Sequence, residues 1–187
     1  VKKIIAVSTD KAVNPVGIMG TSKLMMEKLM INANYVHGKA QTKFSCVRFG
    51  NISWARGSVL NLWKNQIERT GALKLTEGDM TRFFMSQNKA IELVFEAASL
   101  AQGGEIFIFK MPSIKLKDLA KIFLRKYYPK HKIRIEVIGN RTGEKKHEEL
   151  LDPTNGNESV LENEKMYIII PKLPIYNIEQ KIKTYSG

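Results

Sequence analysis

An α/β fold with a mainly parallel sheet is what this sequence predicts, on three observations. Apolar runs that do not alternate, such as Ile4-Ile5-Ala6-Val7, mark strands buried on both faces. Amphipathic stretches separate them. The clearest is Asn88–Ala101, where Ile91, Val94, Phe95 and Ala98 fall at i, i+3, i+4 and i+7. The two kinds of segment alternate at spacings suited to βαβ crossovers.

The elements follow in order. Residues 2–8 read as a buried strand, and Asn14-Pro15 as a turn. The pattern is helical from Thr21 or Ser22, either one a suitable N-cap, to about His37, with Gly38 as the stop. Phe44–Phe49 is a strand ending at Gly50-Asn51. Val59–Arg69 suits a helix stopped by Gly71, and Leu73–Thr76 and Arg82–Met85 are short extended pieces. Gly103-Gly104 ends the Asn88 helix. Glu105–Met111 is a strand, Leu116–Tyr127 a helix with Pro129 beyond it, and Ile133–Ile138 a strand. Gly143–Leu151 suggests a short helix, residues 152–164 an exposed loop, Met166–Ile170 a strand, and Ile178–Ile182 a last helical turn.

The chain of 187 residues is long enough for a real core. No apolar run approaches the roughly 20 residues of a membrane span, and no signal peptide is visible. The single Cys46 allows no internal disulfide, which fits the cytoplasm. The chain starts Val-Lys-Lys-Ile-Ile, directly in a strand and without Met, as a fragment or processed chain would. Thirty Lys and Arg against 18 Asp and Glu give a net charge of +12. Nucleic acid, an anionic membrane surface or a phosphorylated ligand would each suit a basic chain. The cations are spread along the whole length, which favours a solvated surface, with a pyrophosphate ligand second and nucleic acid last. His37, His131 and His147 lack metal-ligand spacing, so no metal is expected.

Ligands of open α/β sheets bind beyond the carboxyl ends of the strands. Ser8-Thr9-Asp10-Lys11 occupies such an end, and Lys23 lies on the helix that follows. The stretch "VSTDKAVNPVGIMGTSK" resembles the active-site segment of the extended short-chain dehydrogenases/reductases. Within them it is most similar to the CapD/CapE-like polysaccharide biosynthesis group, and there to the C5-inverting UDP-N-acetylglucosamine 4,6-dehydratases. Further blocks resemble that group in the same order: "VRFGNISWARGSVLNLW", "LTEGDMTRFFMS", "GGEIFIFKM" and "VIGNRTGEKKHEELL". Five ordered blocks are far more specific than any one motif.

The resemblance implies a Rossmann-like parallel sheet plus a small α/β substrate-binding region. Residues 1–70 would be the C-terminal part of the Rossmann-like catalytic domain. Residues 71–187 would be mostly substrate-binding region and tail, interleaved with the sheet. It also implies an NAD- or NADP-dependent lyase, cytoplasmic and homo-oligomeric as a complete enzyme, acting on a UDP-sugar for surface polysaccharide. Where the family usually has a tyrosine, four residues before the lysine, this chain has Met19, as some members of the group do. A thioether cannot take a proton, so Thr9, Asp10 and Lys11 are the groups at hand. Asp10 and Lys11 would supply the acid and the base, in roles the sequence leaves open. Thr9 would bond the C4 oxygen. Lys23 and Ser8 would meet the cofactor, with Lys23 on its ribose hydroxyls.

Asn51, Arg82, Arg141 and Glu144 are the implied sugar-nucleotide contacts, guanidinium for diphosphate and carboxylate for ribose hydroxyls. Taken singly, each is as readily a turn residue or a solvated charge. Ser58 can cap the following helix near phosphate. No G-x-x-G-x-x-G follows a strand. The resemblance therefore begins partway through the family's chain, and the N-terminal glycine-loop half is the expected partner. Alone, the chain is expected to be inactive and to expose a sheet edge. A non-catalytic UDP-sugar-binding module and a basic nucleic-acid-associated protein are the competing readings.

Overall fold

The computed structural model describes residues 1–36, 41–152, 159–170 and 183–184. In chain order its elements are β1 (Lys3–Thr9), α1 (Ile18–Val36), β2 (Lys43–Phe49), β3 (Asn51–Ile52), α2 (Val59–Thr70), β4 (Ala72–Leu75), β5 (Thr81–Met85), α3 (Gln87–Leu100), β6 (Ile106–Phe109), β7 (Ser113–Lys115), α4 (Leu116–Tyr127), β8 (Arg134–Val137), β9 (Ser159–Glu162), β10 (Met166–Ile170) and β11 (Lys183–Thr184). A 3-10 turn covers Asp10–Ala12. The chain divides into two units. The first is Val1–Phe49, Ile91–Lys110 and Glu149–Gly187, and the second is Gly50–Ala90 and Met111–Glu148.

The first unit is built on a six-stranded sheet of order β1-β2-β6-β10-β9-β11. β1, β2 and β6 run parallel, as predicted. β10, β9 and β11 add an antiparallel half, so the sheet is mixed. Part of the predicted 152–164 loop is strand β9. Asn163 makes the tight turn that turns β9 into β10, its Oδ1 accepting from the backbone N–H of Lys165 at 2.9 Å and of Met166 at 2.8 Å. Cys46, Ile106, Ile108 and Ile169 form the buried centre, and Phe49 stacks on Phe109 at 5.6 Å.

Burial of β1 on both faces does not hold. Among the described residues β1 pairs with β2 alone, at the edge of the sheet, and Ile4 and Val7 are exposed. Lys3 closes the end of α3 instead, its Nζ donating to the carbonyls of Ala98 and Ser99. Helix α1 starts at Ile18, ahead of the predicted Thr21 or Ser22 cap. Both hydroxyls bond backward inside the first turn, Thr21 to the Gly17 carbonyl and Ser22 to the Met19 carbonyl. The Gly38 stop and the 178–182 helical turn lie outside the described residues.

The second unit packs α2 and α4 on β4. Leu60, Trp63 and Ile67 recur at helical spacing on α2. Leu116, Ala120 and Phe123 do the same on α4, and both stripes meet Leu73 and Leu75. Gly71 ends α2 in the left-handed conformation at φ 66°. β4 pairs with β8, and β3, β5 and β7 form a second small sheet. The helix expected at Gly143–Leu151 is absent. Gly143 has φ 83°, and the backbone after it is drawn to a strand, with Thr81 N–H donating to the Lys146 carbonyl and Thr81 bridging His147.

Candidate active site

The end of β1 delivers four polar side chains in sequence, and the first unit holds them by short local bonds. The hydroxyl of Thr9 donates to Asp10 Oδ1 at 2.9 Å, and Lys11 Nζ donates to the same oxygen at 2.9 Å. Thr9 Oγ1 also accepts from the backbone N–H of Lys11, capping the 3-10 turn. Asp10 is fully buried, yet its Oδ2 has no hydrogen-bond partner among the described residues, and neither has Ser8 Oγ. Buried polar atoms are rarely left so, and two orphaned oxygens at one strand end are places for a polar ligand. Lys23 reaches back from α1, its Nζ donating to the Val7 carbonyl at 2.9 Å. Ser8, Thr9, Asp10, Lys11 and Lys23 are therefore brought to one strand end. Met19 lies in the first turn of α1 with its side chain half exposed.

Two features hold this turn against α1. Gly20 is buried against it: a Cβ there would lie 2.2 Å from the Lys11 carbonyl oxygen and 3.0 Å from Pro15 Cβ. Four residues beyond Lys23, and so on the same helix face, the carboxylate of Glu27 meets Arg48 of β2 in a two-pronged pair. Nε donates to Oε1 at 3.0 Å and Nη2 to Oε2 at 2.7 Å. The third guanidinium prong donates to the Leu150 carbonyl at 3.1 Å. Arg48 is register partner to Ser8, so the pair fixes α1 beside the strand two residues before the Asp10–Ala12 turn. A cavity of about 190 Å³ lies between this pair and the segment Ala12–Pro15. Sequence reading missed Glu27 and Arg48. The available signal was an Arg inside the buried run Cys46-Val47-Arg48-Phe49, which needs a buried counter-charge.

The second unit gathers the other candidates. Asn51 sits in β3 opposite Phe84, its Oδ1 buried without a partner among the described residues; Ser58 Oγ, ahead of α2, is in the same state. Arg82 is buried on β5. One Nη1 donates to the carbonyls of Thr81 at 2.8 Å and Lys146 at 3.3 Å, and Nη2 lies 3.8 Å from Glu144 Oε2. Glu144 closes a turn onto the Arg141 carbonyl, and Arg141 itself is exposed. Arg82 and Glu144 thus meet directly, while Asn51 and Arg141 reach neither of them through a side-chain bond. His147 Nδ1 bonds Thr81 Oγ1 at 2.9 Å, a contact no sequence pattern announced. Among the described residues no cluster of His, Cys, Asp and Glu could hold a metal, and no helix is long and apolar enough to cross a membrane.

A family model described as "Polysaccharide biosynthesis protein" matches residues 1–171. The chain belongs to this family. An uncharacterized membrane protein of Methanocaldococcus jannaschii is 53% identical over 156 residues, covering 81% of this chain and 47% of the relative. A UDP-N-acetylglucosamine 4,6-dehydratase (inverting) of Campylobacter jejuni is 41% identical over 174 residues, covering 92% and 50%. A UDP-glucose 4-epimerase of Rickettsia bellii is 42% identical over 151 residues, covering 81% and 44%. The chain spans about half the length of these relatives. The crystal structure of Pen from Bacillus thuringiensis matches with a TM-score of 0.84 at 40% identity, over 90% of this chain and 52% of that one. A dTDP-glucose 4,6-dehydratase of Streptomyces venezuelae, solved with NAD, shares the fold at 14% identity with a TM-score of 0.65, over 80% of this chain and 51% of that one.

Proposed function

We propose that this chain carries the proton-transfer and sugar-nucleotide-binding part of a nucleotide-sugar 4,6-dehydratase of surface-polysaccharide synthesis, with UDP-N-acetylglucosamine as substrate. The observation that carries the reading is the Thr9-Asp10-Lys11 cluster: a hydroxyl, a carboxylate and an ammonium joined through one oxygen at a strand end. The Campylobacter relative's name supports the reaction class.

Dehydration needs an acid and a base on one sugar. Oxidation at C4 gives a 4-keto sugar, whose C5 proton is then acidic. Asp10 and Lys11 share the proton transfers: removing that proton, protonating the C6 hydroxyl, which leaves as water, and returning a proton to C5 when hydride adds at C6. Thr9 holds the C4 oxygen by hydrogen bond. The orphaned Ser8 Oγ and the nearby Lys23 ammonium suit the hydroxyl-rich nicotinamide riboside end of a dinucleotide. When bound, a dinucleotide there would supply the hydride acceptor for C4 and the donor for C6. The chain offers no glycine-rich loop for the pyrophosphate, so the rest of the longer enzyme is the partner this reading requires. Homo-oligomerisation and a cytoplasmic setting belong to the same proposal. Arg82 and Arg141 neutralise the diphosphate, and Asn51 and Glu144 hold sugar and ribose hydroxyls.

A 4-epimerase is the second reading, favoured by the Rickettsia relative. Both readings meet one experiment, in which the full-length enzyme turns over UDP-N-acetylglucosamine in deuterated water. Dehydration yields a 4-keto-6-deoxy sugar with deuterium at C5, because the C5 proton exchanges through Asp10 or Lys11. A C4 epimer without solvent deuterium sinks the dehydratase reading. Titration of the 187-residue chain with NAD and NADP is expected to show no micromolar binding; such binding would mean that the dinucleotide site is built from other residues.

A further inference from the structure

The end of α4 passes through a short turn into β8, and the segment Arg125–Arg134, RKYYPKHKIR, holds five Lys or Arg and no acid. All five are exposed. Glu136 pairs with Arg134 at 2.7 Å, and Lys126 lies over the Tyr127 ring at 5.5 Å. Exposed apolar side chains occur in the same stretch of chain: Ile122 and Tyr127 on α4, and Ile135, Val137 and Ile138 at β8, where Ile135 and Val137 face away from Arg134. Trp54, in the same unit, extends the patch, its ring meeting Tyr127 edge-on at 5.3 Å. Its backbone has φ 60°, in the left-handed region that bulky residues rarely adopt. Asn61 fixes it there by donating to the carbonyls of Trp54 at 3.3 Å and Ala55 at 2.9 Å. Strain of this kind persists where the surroundings enforce it, and it points to use. Here it leaves an indole more than a third exposed.

We propose that this face of the second unit docks on an anionic lipid surface. The argument is one of complementarity on two counts. Clustered cations, of which one, Arg134, is paired with Glu136, match the negative potential of an anionic leaflet. Trp and Tyr, apolar in body and polar at the tip, favour the headgroup level, and exposed aliphatic side chains of the same stretch enter the acyl boundary. A nucleic acid would satisfy the cations and leave Ile122, Val137 and Ile138 in water. The inference stands apart from the proposed reaction, since it uses none of the residues assigned to it.

The test uses the purified protein and vesicles of phosphatidylcholine, with or without 30% phosphatidylserine. Trp63, buried in the core, gives a constant background, so a shift of emission to the blue on adding anionic vesicles reports Trp54. The expected result is that shift, weakened by salt, together with co-sedimentation. The triple substitution Lys126→Ala, Lys130→Ala and Lys132→Ala lowers partitioning on the order of 100-fold, at about 5-fold per cation. Trp54→Phe removes the shift and leaves sedimentation in place. A control triple, Lys2→Ala, Lys43→Ala and Lys64→Ala, retains binding. All these side chains except Trp54 are fully on the surface, so unchanged circular dichroism is expected and keeps the comparison valid. Equal loss in the control triple overturns the proposal, because it would make the attraction one of net charge. So does equal partitioning into neutral vesicles, or duplex DNA that binds more tightly than the anionic vesicles and displaces them.

Discussion

The Thr9–Asp10–Lys11 cluster of the first unit and the Arg82–Glu144 group of the second, the proposed sites of proton transfer and sugar-nucleotide binding, are built in opposite ways. Thr9, Asp10 and Lys11 are consecutive, bonded to one another at 2.9 Å, and backed by a buried ion pair and a glycine with no room for a side chain. Asn51, Arg82, Arg141 and Glu144 come from three segments, and the Arg82–Glu144 contact is a loose 3.8 Å. The difference matches the demands of the chemistry. Proton transfer fails if donor and acceptor drift by an ångström. A diphosphate carries enough charge to draw an exposed guanidinium such as that of Arg141 to itself.

Breaking the rigid cluster should therefore cost most. Glu27→Ala leaves Arg48 buried without its counter-charge, and a loss of about 3–5 kcal/mol of stability is expected, read from urea midpoints. A loss under about 1 kcal/mol would show that the pair does not lock α1. Asp10→Asn and Lys11→Ala in the full-length enzyme are each expected to lower kcat by on the order of 10²-fold or more, with the fold intact. Near-full turnover by either one removes it from the mechanism. In the looser cluster, Arg82→Ala should raise KM for the UDP-sugar by about 10- to 100-fold while kcat changes little, as loss of a charged hydrogen bond does. A fall confined to kcat would erase the contrast between the two clusters. Met19→Leu swaps one apolar side chain for another of similar size and is expected to change turnover by less than about 3-fold.

The smallest effect concerns pH. Burial, aided by the Glu27 charge and opposed by Arg48, pushes the Cys46 thiol up to about 12 from 9.0. The folded state holds that proton more tightly than the unfolded one. The associated stability is complete below about pH 9 and is lost as pH rises toward 12. A thiol reagent at pH 8 should leave the native protein untouched and modify it once unfolded. Rapid native modification would place Cys46 nearer solvent than its packing between β1 and β6 allows.

How much of this was legible in the sequence depended on how local the information was. α4 matches its predicted bounds, and β10 does too, because helical periodicity and a short apolar run are local signals. The start of α1 was misplaced because Thr21 and Ser22 look like caps but bond backward. The Gly143 helix failed because its backbone partner, Thr81, lies far away in sequence. At the site, Thr9 through Lys11 could be read from a strand end. The Glu27–Arg48 pair could not, since neither residue names the other across 21 positions. β1 looked buried by composition alone, and an apolar run does not say how many neighbours it has.

Gly20 and Gly71 would answer a saturation-mutagenesis library differently. Around Gly71 there is nothing within 4 Å, so every side chain fits, and each is penalised alike by the left-handed backbone. Such a position returns a graded list of survivors, headed by asparagine. Gly20 needs no special backbone angle and is limited by space alone, with a backbone oxygen 2.2 Å from the first atom any side chain must have. Selection at position 20 should return glycine and nothing else, and no stabilising change elsewhere in the chain should widen that answer.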